Sequence, residues 1–156
     1  MRKRIMGGAS ADAAPEGGWL DLEQLAQVEL TSEEPGAPIE AALGQGAGAG
    51  WRAAEPGPQT IRLIFDRPQP LRRVRLEFQE EARQRTQEFA LRWSADGGRT
   101  FHDLLRQQYT FSPPGTTRQV EDYQVGLDGV TALELQIVPE IGGGPALASL
   151  ARLRLA

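Results

Sequence analysis

Between Phe89 and Phe101 the chain reads Phe-Ala-Leu-Arg-Trp-Ser-Ala-Asp-Gly-Gly-Arg-Thr-Phe. Phe89, Leu91 and Trp93 alternate with Ala90, Arg92 and Ser94, the period of a half-buried strand. Asp96-Gly97-Gly98 supplies the positive-φ positions that a tight hairpin needs. Thr100 and Phe101 open the return strand. A chain organised around such a hairpin is committed to antiparallel sheet.

The rest of the sequence follows the same pattern. Val28–Ser32, Thr60–Phe65, Leu71–Phe78, Gln87–Ser94, Arg99–Leu105 (continuing through Gln107–Phe111), Arg118–Leu127, Leu133–Val138 and Leu150–Leu155 read as strands. In Leu71–Phe78, Val74, Leu76 and Phe78 take one face and Arg73, Arg75 and Glu77 the other. Asp66–Pro70 reads as a connection, because its two prolines cannot donate to a ladder. Asp21–Glu29 is a short helix or irregular strand, and Ile39–Leu43 a single helical turn. About eight strands at turn spacings of roughly 8–12 residues predict an all-β sandwich or barrel. Residues 1–18, small and without periodicity, read as a disordered arm, leaving 19–156 as one domain.

Charge is unevenly spread. Residues 5–51 carry eight acids and no base; residues 52–118 carry twelve arginines against eight acids. Lys3 is the single lysine among 17 basic residues. An Arg-for-Lys bias follows from a GC-rich genome, and the guanidinium also offers a rigid fork to carboxylates, phosphates or sugar hydroxyls. The chain has no cysteine, which excludes thiolate metal sites and cysteine nucleophiles and favours a reducing compartment. The basic start, Met1-Arg-Lys-Arg, is not followed by the apolar run of a secretory signal, and no stretch approaches a membrane span. A soluble, cytoplasmic protein is expected.

No catalytic constellation stands out. His102 is the only histidine, and its neighbour Asp103 points to the opposite face of a strand. The carboxylate pairs Glu33/Glu34, Glu80/Glu81 and Glu121/Asp122 read as solvated loop charges rather than paired acids. Gly44–Gly50 lacks the strand, the Lys-Ser/Thr sequel and the helix of a phosphate loop. Ser94–Phe101 matches the Ser-x-Asp-x-Gly-x-Thr-aromatic box of sialidase-like propellers. One copy cannot build a propeller, so Asp96 is assigned to holding its own turn. The segment from Arg83 to Glu88 concentrates forked donors and amides, and Tyr109, Phe111 and Tyr123 lie near a second loop. Such a set suits sugar hydroxyls and a stacking ring, or protein recognition through Arg and Tyr anchors.

Several segments in order carry a family resemblance: Val28–Ser32, then Ala41-Ala42-Leu43 leading to Trp51, Gln59–Leu63, Pro70–Phe78, Trp93–Gly97 and Val130–Pro139. Together they resemble a discoidin domain, also called F5/8 type C or galactose-binding-like, over residues 19–156. The resemblance implies an antiparallel jelly-roll β-sandwich that binds ligands with loops at one end, here Glu33–Pro38, Gln79–Gln87 and Tyr109–Gln119. It also implies a structural calcium held by an Asp shortly after an Ala-Leu pair. Gly44, Gln45 and Gly46 follow Ala42-Leu43 here and remove that carboxylate, so no cofactor is expected. A fainter similarity, in Trp51–Ala54, Gln59–Ile61 and Leu150–Arg154, is to the N-terminal domain of a single-strand-break repair scaffold. Nicked-DNA binding is disfavoured by a pI near 5.1.

The resulting expectation is a non-catalytic binding module for carbohydrate. Arg83, Arg85 and Gln87 would supply hydrogen bonds, and Tyr109 or Phe111 a stacking surface. The competing expectation is an intracellular protein-interaction module using the same loops.

Overall fold

The computed structural model describes residues 18–44 and 48–156; the N-terminal arm and the middle of the Gly44–Gly50 loop lie outside that range. In chain order the elements are α1 (Leu22–Leu25), β1 (Ala26–Leu30), α2 (Glu40–Leu43), β2 (Trp51–Arg52), β3 (Gln59–Gln79), β4 (Arg85–Ser94), β5 (His102–Phe111), β6 (Arg118–Val138), β7 (Ser149–Leu150) and β8 (Arg152–Leu155). Both helices are single turns, as the absence of any long 3.6-residue periodicity implies.

The two 21-residue strands, β3 and β6, organise the molecule. They pair antiparallel along their length, but the register breaks between Ile64 and Arg73 on β3, opposite Ala132 and Gln124 on β6. On one side of the break, β3 and β6 join β1, β4 and β5 in the order β1-β3-β6-β4-β5. On the other side they pair with each other, and β8 adds to β3 along Val74–Glu77. Each long strand therefore bends from one layer into the second.

This corrects two expected boundaries. Asp66–Pro70 is not a separate connection, and Arg118–Leu127 and Leu133–Val138 are one strand. Pro68 and Pro70 do stay outside the β3–β6 ladder, since only Gln69 of that stretch has a partner there. They sit at the bend, where a missing N–H costs no sheet hydrogen bond. Gly129, at φ +66°, serves the same corner on β6.

The layers meet through alternate inward side chains. Ile61, Leu63, Phe89, Leu91, Leu133 and Leu135 come from the larger layer, and Val74, Leu76, Phe78 and Leu153 from the smaller, all buried. Phe78 and Phe89 bridge the two, with ring centroids 5.2 Å apart.

The outer faces are held by charge. Glu29, Arg62, Glu134, Arg92 and Asp103 stand in register across all five strands of the larger layer. Successive separations are 3.4, 2.6, 3.1 and 3.6 Å. The Phe101 ring lies beneath both guanidiniums, 5.3 Å from Arg62 and 5.2 Å from Arg92. A second ladder, Arg118–Glu77–Arg75–Asp122–Arg73, runs along the β3–β6 pair in the smaller layer.

At the β4–β5 turn Asp96 does what its sequence position predicts. Its carboxylate accepts the Arg99 and Thr100 amides and the Thr100 and Ser94 hydroxyls. The Thr100 contacts lead in holding Asp96 well below the usual carboxylate range. Gly97 and Gly98 take φ +78° and +92°.

Candidate functional site

The bend in β3 and β6 sorts the loops. The β4–β5 turn and both bends gather at one end, where Leu20 N–H donates to Leu155 O of β8. The loops 31–39, 53–58, 80–84, 112–117 and 139–148 gather at the other. Backbone bonds stitch this second end together: Glu34 N–H to Arg52 O, Arg52 N–H to Ala37 O, Glu80 N–H to Thr117 O, and Ile141 N–H to Thr86 O.

Among these loops lies a cavity of about 310 Å³, lined by Ala37, Arg52, Gln79, Glu80, Glu81, Ser149 and neighbouring small residues. The two-residue strands β2 and β7 pair beside it. Trp51 is buried and donates its indole N–H to Ser32 O at 3.1 Å, so it supports the cavity rather than offering a ring to it. Arg52 and Glu34 are half exposed, 3.7 Å apart.

Glu80 shapes the loop. Its Oε1 accepts Arg85 Nε at 2.7 Å, and its Oε2 accepts the Ala82 and Arg83 amides at 3.0 and 3.3 Å. Burial alone would raise its pKa, but these donors outweigh burial and lower it. Arg85 is anchored in turn: Nη1 donates to Pro139 O at 2.8 Å and to Gln87 Oε1 at 3.2 Å, and the guanidinium lies 4.9 Å from the Phe111 ring centre. From Gln87 the network runs to Gln119 Oε1 at 2.8 Å, then to Glu121 at 2.7 Å, and on to the Tyr123 hydroxyl. Burial and the Glu121 carboxylate push that phenol up to about 12.

This two-layer arrangement, with loops clustered at one pole, matches solved structures at nearly full length. The family 32 CBM from Clostridium perfringens NanJ, solved with galactose, is 12% identical with a TM-score of 0.62, covering 88% of this chain and 96% of that one. A second module from the same organism, solved with GalNAc-beta-1,3-galactose, is 18% identical with a TM-score of 0.63, covering 88% and 98%. A chitosan-binding module from Paenibacillus sp. IK-5 is 17% identical with a TM-score of 0.61, covering 88% and 98%. The chain has the discoidin-like, galactose-binding fold. No family model and no curated protein matches the sequence. The discoidin-like jelly roll is thus established by shape, and the eight strands among the described residues agree with the roughly eight expected.

Within this fold the five expected ligand residues separate into two groups. Arg85, Gln87 and Phe111 are buried. They form the base of the 80–84 loop and present no open surface, which corrects their expected part as direct contacts. Arg83 is exposed on the loop itself, 3.6 Å from Glu140. Tyr109 is half-buried, packed edge-on to Phe111 at 5.0 Å, with its hydroxyl donating to Arg118 O. Parity on β4 carries the correction: Arg85 and Gln87 share their face with Phe89 and Leu91, which point inward.

Arg52 was not singled out from sequence. Its place at the cavity depends on the β2–β7 pairing, between strands too short to show periodicity. His102 lies at the opposite end, tilted against the Trp93 ring with centroids 4.9 Å apart. Among the described residues, no three His, Asp or Glu side chains converge as a metal site.

Proposed function

We propose that this protein is a non-catalytic carbohydrate-binding module whose sugar sits in the loop-end cavity. One observation carries the reading: a polar-rimmed cavity lies where the loops of a discoidin-like sandwich converge, and similar modules were solved with galactose and GalNAc-beta-1,3-galactose. Its volume falls at the small end of the roughly 300–1,000 Å³ typical of ligand pockets. Arg52, Gln79 and Glu81 line it with forked and planar hydrogen-bonding groups, and Arg83 stands on the same loop. The carboxylates nearby support a binding role over an acid–base one. Glu80 is bound by Arg85, and Glu34 and Glu140 stand 3.7 and 3.6 Å from Arg52 and Arg83, so among the described residues about the cavity only Glu81 lacks an arginine neighbour, and one such carboxylate does not make an acid–base pair.

The test is a glycan array followed by titration of the best sugar against Arg52→Ala, Glu81→Gln and Arg83→Ala. Binding should weaken about tenfold or more in at least the first two, the loss of one or two hydrogen bonds to a polar ligand. An array without a binder, or affinities unchanged in all three variants, overturns the proposal.

A further inference from the structure

The acidic N-terminal third points to a second surface. From Gly18 to Trp51 the chain has six carboxylates and no Arg or Lys. Three of them, Glu23, Glu33 and Glu40, rim a groove of about 420 Å³ between β1 and α2. None of the three has an ion-pair partner among the described residues. Arg154, which packs against α2, is buried and donates to the Ala42 carbonyl. The groove floor is apolar: Ala26, Val28 and Leu30 on β1, only partly buried, and Ile39 and Leu43 at the two ends of α2. β1 is also the edge of the larger layer. It pairs with β3 on one side and with no described strand on the other.

An open strand edge offers backbone donors and acceptors to an incoming strand. A neighbouring apolar floor takes alternate side chains of that strand, and unpaired carboxylates at the rim favour cations there. We propose that this groove binds an extended polypeptide segment of a partner protein, one that carries apolar and basic side chains on the same face, every second residue, and adds to β1 as a sixth strand of the larger layer. On that face the apolar side chains enter between β1 and α2, and the basic ones, at the ends of the segment, meet Glu23 and Glu40. Glu33 is tied by the Ile39 amide at 2.7 Å, so it shapes the rim. The groove shares no lining residue with the loop-end cavity, and the inference does not depend on sugar binding.

A blocked peptide Lys-Gln-Val-Gln-Val-Gln-Lys, whose lysines and valines share one face of an extended strand, titrated into the full chain, tests this. The expected result is saturable binding with new amide protection in Ala26–Leu30, at least tenfold weaker in the Glu23→Gln/Glu40→Gln variant and in high salt. A glutamine–valine peptide should bind at least tenfold more weakly. No binding, equal binding to the double variant, or protection confined to other strands overturns the proposal. Tighter binding to an Arg2→Gln/Lys3→Gln/Arg4→Gln variant overturns it in favour of the chain's own basic segment as occupant. A dimer that the peptide dissociates overturns it in favour of a second copy.

Discussion

Arg85 shows how far a side chain's type can mislead about its role. An arginine in a polar loop reads as a ligand contact, yet this one is fully enclosed and binds Glu80, Gln87 and the Pro139 carbonyl while lying over Phe111. Removing it strands the largely buried Glu80 carboxylate and opens a space beneath the loop. Breaking such a pair from one side costs about 3 kcal/mol. At roughly 3 °C per kcal/mol for a domain of this size, calorimetry on Arg85→Ala should record a Tm about 10 °C lower. Arg85→Lys keeps the charge without the fork and should recover only part of that loss. Exposed Arg83→Ala should leave Tm within about 1–2 °C. The distinction was legible, because Arg85 and Gln87 carry the parity of Phe89 and Leu91. The contacts that give Arg85 its partners, from 139 and 111, join distant parts of the chain, and no local pattern encodes them.

At the scale of elements, the arginine excess finds its use. Arg62, Arg73, Arg75, Arg92 and Arg118 each face a carboxylate across a strand pair. Cross-strand opposite charges are the sheet's counterpart of helical i,i+4 pairs. Their worth depends on burial. Glu134, with 3% of its side chain exposed, accepts from two arginines, whereas Glu29 and Asp103 at the ends of the row are open. Denaturant titration should give about 2 kcal/mol of destabilisation for Glu134→Ala, after allowing for the exposure of its partners, and under about 0.5 kcal/mol for Glu29→Ala or Asp103→Ala. Equal costs at the three positions would contradict this account. The alternation of Arg and Glu with apolar residues was readable, but which Arg meets which Glu depends on register. The merging of four expected strands into β3 and β6 was hidden for a related reason. Proline and glycine mark breaks in a ladder, and a bend between layers breaks the ladder without ending the strand.

For the whole molecule, several carboxylates pull in one direction. Asp122 is lowered chiefly by the Arg73 hydrogen bond, Asp96 by Thr100, and Glu80 by donors that overcome its burial. A carboxylate with a lowered folded pKa binds protons more weakly when folded than when unfolded. Its stabilisation is complete above the ordinary value near 4 and is lost as pH falls through the lowered one. The urea midpoint should therefore hold steady from about pH 7 to 5 and drop below about pH 4, with a shallower drop in Asp122→Asn. The shared strands have a consequence of another kind. Because β3 and β6 run through both layers, neither layer can open while the other stays closed. Amides of Ile61–Leu63 and of Val74–Leu76 should exchange with deuterium at one common free energy, that of global unfolding, while β5, held at a single edge, exchanges through smaller local openings.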